Sequence, residues 1–98
     1  MNRYVEDVKQ LVLEALGRQP AKIVLFGSRA RGDASPRSDV DVGILPSGRL
    51  HPRTLGEVQE KLDNSNIPYQ VDLVNLLEAG PEFQREALKD AIVWKDFA

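Results

Sequence analysis

Three aspartates carry the most chemical promise in this chain. In Ser38-Asp39-Val40-Asp41-Val42-Gly43-Ile44-Leu45 the apolar residues alternate with Asp39, Asp41 and Gly43, the pattern of a strand with two acids on one face. Residues two apart on a strand have Cα atoms roughly 6.5 to 7 Å apart, so both carboxylates can reach one ion or an ion pair. Two-metal chemistry uses divalent ions about 3.5–4 Å apart to clamp the attacking and leaving oxygens of an in-line displacement, and it generally calls on a further carboxylate. Asp72, set among Val71, Leu73 and Val74, is the candidate. The rival reading is a solvated strand face. Against it, strands disfavour Asp, and two acids on one face repel unless a counter-ion is present.

Gly27-Ser28 directly follows the apolar run Ala21-Lys22-Ile23-Val24-Leu25-Phe26. At such a strand exit, backbone amides at a turn or helix start can hold phosphates, Gly27 permits close backbone approach, and Ser28 adds a hydroxyl. Arg29, Arg31 and Arg37 crowd the same stretch and could neutralise phosphate charge. A solvated loop pairing with Asp33 and Asp39 is the alternative for any one of them. The segment from Gly27 to Gly32 has the outer glycine spacing of a P-loop but continues Asp33-Ala34, without the required Lys-Ser/Thr, so that motif is rejected. Arg31-Gly32-Asp33 spells an adhesion tripeptide by chance.

Elements that could position these groups follow from the spacing. Val5, Val8, Val12, Ala15 and Leu16 recur at helical intervals over 3–16, with Asn2 as N-cap and Gly17 as stop. Residues 21–26 read as a strand buried on both faces. One helical turn after Ser28 and a loop punctuated by Gly32 and Pro36 lead to the strand at 39–45. A helix over about 52–64, a strand over 69–76, a helix over 81–89 with Pro81 in its first turn, and a short strand at 92–94 complete the order α-β-turn-β-α-β-α-β. The expected class is α/β (α+β), forming one domain over 1–98.

Composition narrows the function. The 98 residues are 42% hydrophobic and 29% charged, with no Cys and one His, which excludes disulfides and thiolate or multi-His metal sites. Any metal must be held by oxygen. Net charge is −2 and the pI is about 5.3, which argues against a surface built to bind a long polynucleotide. Neither a bilayer-spanning run nor a signal peptide is recognisable, so a cytoplasmic location is expected. His51 reads as an exposed loop residue, Trp94 and Phe97 as packing, and Gly43 as space either for a nucleotide or for neighbouring side chains.

Taken together, Gly27-Ser28-Arg29-Ala30-Arg31-Gly32-Asp33, Ser38-Asp39-Val40-Asp41-Val42-Gly43 and Val71-Asp72-Leu73 resemble the polymerase-β-like nucleotidyltransferase superfamily, and within it the stand-alone minimal members, MNT. The resemblance implies a mixed sheet of about four to five strands flanked by helices, and magnesium, as two ions, held by Asp39, Asp41 and Asp72, with Asp72 also helping to deprotonate the acceptor. It implies NTP phosphates on Gly27 and Ser28, with ATP the expected nucleotide and Arg29, Arg31 and Arg37 beside them as the candidate phosphate contacts. It further implies a HEPN-domain toxin as partner, to which an MNT antitoxin transfers AMP on a tyrosine. So short a chain leaves little room for an acceptor-binding domain, which also points to a second protein. The alternatives are an antitoxin that acts by steric contact alone, a small-molecule nucleotidyltransferase, and, weaker still, a metal-dependent nuclease.

Overall fold

The computed structural model describes residues 2–33, 35 and 37–97. Its elements are α1 (Arg3–Leu16), β1 (Ala21–Phe26), α2 (Ser28–Arg31), β2 (Val40–Pro46), α3 (Pro52–Asp63), β3 (Val71–Asn75), α4 (Pro81–Lys89) and β4 (Ile92–Lys95). The order matches the one expected, and the boundaries move by a residue or two. Asp39 now lies one residue before β2, and Tyr69 and Leu76 lie outside β3. Pro36, the expected loop breaker, is outside the described residues. Asn2 caps α1, its side chain accepting the Tyr4 N–H at 2.8 Å.

The sheet has four strands in the order β3-β2-β1-β4. β1 runs antiparallel to β2 and β4, while β2 and β3 are parallel. A parallel neighbour needs a crossover rather than a hairpin, and α3 supplies it. The sheet is therefore mixed, as the family resemblance implied.

β1 is buried on both faces, which explains its unbroken apolar run. On one face Ile23, Leu25, Val40, Val42, Ile44 and Val71 pack with Val5, Val8, Val12 and Leu16 of α1 and Val58 and Leu62 of α3. Each such Val, Leu or Ile contributes about 1.5–3 kcal/mol on full burial. Trp94 joins this layer from β4. On the other face a smaller cluster of Val24, Phe26, Leu76 and Ala87 lies under α4. Gly43 belongs to this second face. A Cβ there would stand 2.7 Å from Leu76 Cδ1 and 3.1 Å from Val24 Cγ2, so the missing side chain makes room for packing.

Among the described residues, no helix is long and apolar enough to cross a membrane.

The outer edge of β3 is closed by one side chain. Gln59 of α3 donates from Nε2 to the Val71 carbonyl at 2.7 Å, and its Oε1 accepts the Leu73 N–H at 3.1 Å. An amide side chain thus stands in for the backbone of a missing strand on either side of Asp72. Leaving a partly buried N–H and C=O unpaired costs about 1–3 kcal/mol. Gln59→Ala should lower unfolding stability by about that amount in a urea titration. Gln59→Glu should be no better than Ala, because a carboxylate accepts but cannot donate.

Candidate active site

The Gly-Ser turn and the three acids meet at one end of the sheet, where β1 leaves and β2 and β3 enter. Antiparallel register sets Phe26 opposite Asp41, which brings Gly27 beside the Asp41 carboxylate. Parallel register sets Asp41 opposite Asp72, on strands that lie about 4.8 Å apart. Asp41, Gly43, Asp72 and Val74 consequently share the α4 face of the sheet. Asp39, two residues before Asp41, is exposed where the loop enters β2. All three acids singled out in the sequence therefore fall at the same sheet end.

Gly27 is required twice over. Its φ of 78° is a left-handed conformation that side chains resist. A Cβ at this position would also come within 2.5 Å of Asp41 Oδ2. The turn continues into α2, where Ala30 and Arg31 donate back to the Gly27 carbonyl, both at 3.1 Å. Gly32, also at positive φ, ends the helix with its N–H on the Ser28 carbonyl. The Ser28 and Arg29 amides at the start of the turn have no acceptor among the described residues.

Asp41 is half-buried, and its pKa lies above the ordinary 3.8. Burial is the largest cause, followed by the charges of Asp72 and Asp39, with Arg31 acting in the opposite sense. The neighbouring carboxylates thus raise the cost of charge at Asp41, and Arg31 is near enough to counter it only in part. Among the described residues, no three acidic or imidazole side chains already stand together as a metal-ligand cluster. The donors present are oxygens of the kind a hard divalent cation takes, and the charge excess at Asp41 is of the sign that such a cation would relieve.

Each arginine is placed differently. Arg31 pairs through Nε with Asp33 Oδ2 at 3.2 Å, with both side chains about half exposed, so the pair is worth under about 1 kcal/mol and does not fix the guanidinium. Arg37 is exposed in the loop. Arg29 is engaged within the protein. Its Nε and Nη2 both donate to the Ser38 carbonyl, at 3.1 and 2.7 Å, and its Cζ lies 4.2 Å from the Tyr69 ring centroid. Neither Tyr69 nor Gln59 stood out in the sequence, because a tyrosine ahead of a strand and a glutamine on a helix carry no local signature of such contacts. His51 caps α3, its Nδ1 accepting the Arg53 N–H at 3.1 Å, and so serves the helix rather than the site.

Residues 9–96 match the family described as Polymerase beta, Nucleotidyltransferase. The chain belongs to this nucleotidyltransferase family. Over 68 residues it is 31% identical to a Haemophilus influenzae protein named probable protein adenylyltransferase MntA, an alignment covering 69% of this chain. The chain spans 59% of that curated relative's length. Its fold is that of a chain from a toxin-antitoxin crystal structure with AMP-PNP, with a TM-score of 0.72, 24% identity, and coverage of 90% of this chain and 73% of that one. It is also that of a chain from a complex of a tri-AMPylated Shewanella oneidensis HEPN toxin with MNT antitoxin. There the TM-score is 0.67 at 22% identity, covering 95% of this chain and 70% of that one.

The raised pKa of Asp41 has a measurable consequence without any metal. A carboxyl that holds its proton more tightly when folded contributes stability below the ordinary value, and that contribution is lost as pH rises through the raised one. In EDTA near neutral pH, Asp41→Asn should therefore melt at a higher temperature than the unsubstituted protein. The difference should shrink as pH falls toward 3.8. Equal melting temperatures across this range would contradict the electrostatic picture.

Proposed function

We propose that this nucleotidyltransferase is a magnesium-dependent antitoxin that transfers AMP from ATP to a tyrosine hydroxyl of a HEPN-domain toxin. The observation that carries the reading is the pairing of Asp41 with Asp72 at the sheet end where Gly27 abuts the Asp41 carboxylate. Support for the substrate and partner comes from relatives named as an adenylyltransferase, as a toxin-antitoxin complex with AMP-PNP, and as an AMPylated HEPN toxin with its MNT antitoxin.

In this reading residues 1–98 are the catalytic module, and the acceptor surface comes from the partner. The Gly27-Ser28 turn presents amides and a hydroxyl to the triphosphate. Arg31, loosely held by Asp33, and the exposed Arg37 are free to turn toward the β- and γ-phosphates. Asp39, Asp41 and Asp72 hold the divalent ions. Bound magnesium supplies charge neutralisation on the phosphates and lowers the pKa of the attacking hydroxyl. That hydroxyl oxygen forms the new bond to the α-phosphorus as the bond to the pyrophosphate oxygen breaks, and Asp72 accepts the proton.

A second reading, neutralisation by contact alone, is favoured by the exposed apolar side chains of Leu77, Phe83 and Val93. One experiment separates the two. Incubation of the chain with a HEPN partner, ATP and magnesium should add the mass of one adenylyl group per AMP transferred to the partner's intact mass. Asp39→Asn or Asp41→Asn should cut the rate at least about 10²-fold while leaving the circular dichroism spectrum unchanged. Full protection of cells by the Asp39/Asp41 double variant, together with no added mass, would select the steric reading.

A further inference from the structure

Arg29 ties together the three backbone segments that carry the site. Its own backbone belongs to α2, next to Gly27-Ser28. Its guanidinium spans to the carbonyl of Ser38, the residue before Asp39, with two hydrogen bonds. The same guanidinium lies over Tyr69, three residues ahead of Asp72. Tyr69 is itself held, its hydroxyl accepting from Asn2 Nδ2 at 2.9 Å and its ring meeting Tyr4 edge-on at 5.7 Å. A backbone bond from Val40 N–H to the Gln70 carbonyl at 2.9 Å runs alongside. The Asp39 backbone is thereby anchored at both of its neighbours, at Ser38 by Arg29 and at Val40 by the lead-in to β3.

Bidentate phosphate recognition by arginine uses two parallel N–H donors of its fork. Arg29 is half-buried, with its Nε and Nη2 donors committed to one carbonyl and one face of the guanidinium plane covered by the Tyr69 ring. A planar, always-charged fork stacked on an aromatic ring is a geometry that lysine does not reproduce. We infer that Arg29 is a positioning residue which, through the Ser38 carbonyl and the Tyr69 ring, sets Asp39 relative to Asp41 and Asp72 for a divalent cation, and that it is not a phosphate ligand. The inference rests on the metal-dependent reading above and adds to it which residues pre-arrange the acids.

The test measures Mn²⁺ binding by calorimetry to the full chain with AMP-PNP at saturation, beside the ATP and magnesium dependence of AMP transfer. Arg29→Lys and Tyr69→Leu should each weaken Mn²⁺ binding about 10-fold or more, as loss of groups that orient metal ligands does elsewhere. The magnesium needed for half-maximal transfer should rise in parallel, with the KM for ATP at saturating magnesium nearly unchanged. Tyr69→Phe, which keeps the ring, should retain Mn²⁺ affinity. A double Arg29→Lys/Tyr69→Leu variant should be little worse than either single one. The opposite pattern, a KM for ATP raised 10-fold or more by Arg29→Lys with Mn²⁺ affinity intact and Tyr69→Leu neutral, would make Arg29 a phosphate ligand and overturn the inference. Should either single variant misfold, the remaining one and Tyr69→Phe decide the matter. If the unsubstituted chain binds no Mn²⁺, the metal-dependent reading falls and the inference falls with it. If it binds Mn²⁺ normally and the variants match it, only the inference fails.

Discussion

Partial burial of Asp41 beside two other acids is the constraint on which the arrangement of this sheet end depends. Parallel pairing of β2 with β3 sets Asp41 and Asp72 side by side, and the loop delivers Asp39 two residues earlier. A chain that gathered acids for no purpose would separate them by a one-residue shift of register, which would send the whole alternating set to the opposite face. Here that shift is blocked by the core. Val40, Val42 and Ile44 are fully buried against the α1 and α3 layer, so moving the acids would drive three large apolar side chains out toward the other face. Hydrophobic packing on one side of β2 thus holds an electrostatically unfavourable arrangement on the other. The local electrostatic cost is of the kind that, in the proposed function, a bound cation would relieve.

Gly27 belongs to the same compromise. The turn that follows β1 comes so close to Asp41 that no side chain fits, and the backbone takes a conformation suited to glycine. Amides and carboxylate are consequently neighbours, one set suited to anions and the other to cations. In the proposed function that juxtaposition would serve a metal–triphosphate complex, the amides facing its anionic part and the carboxylates its cation.

How much of this was legible in the sequence depended on the range of the interaction. Helical spacing in α1, the alternation of β2 and the buried run of β1 are local patterns, and they appear where expected. The closeness of Asp39 and Asp41 was readable from their two-residue spacing, although Asp39 proves to lie just ahead of β2 rather than on it. That Asp72 lies opposite Asp41, rather than a residue away, depends on a crossover through α3 that no local pattern encodes. The same limit applies to Arg29, which the sequence grouped with two other arginines because all three lie in one basic stretch. Its engagement with Ser38 and Tyr69 links positions up to forty residues apart along the chain, and a sequence window does not contain them. Gly43 was ambiguous for a similar reason, since Leu76 and Val24, which pack against it, come from two other segments.

Gln59 also bears on how the molecule behaves in company. β3 is an edge strand, and an open edge offers its N–H and C=O groups to any extended chain that approaches. Around Asp72 those groups are already occupied by the Gln59 amide. The edge beside the acids is therefore closed to strand addition, and a flexible segment of another protein cannot zip onto it and bury the carboxylates. One helix side chain protects the site from aggregation while leaving its open face free for substrate.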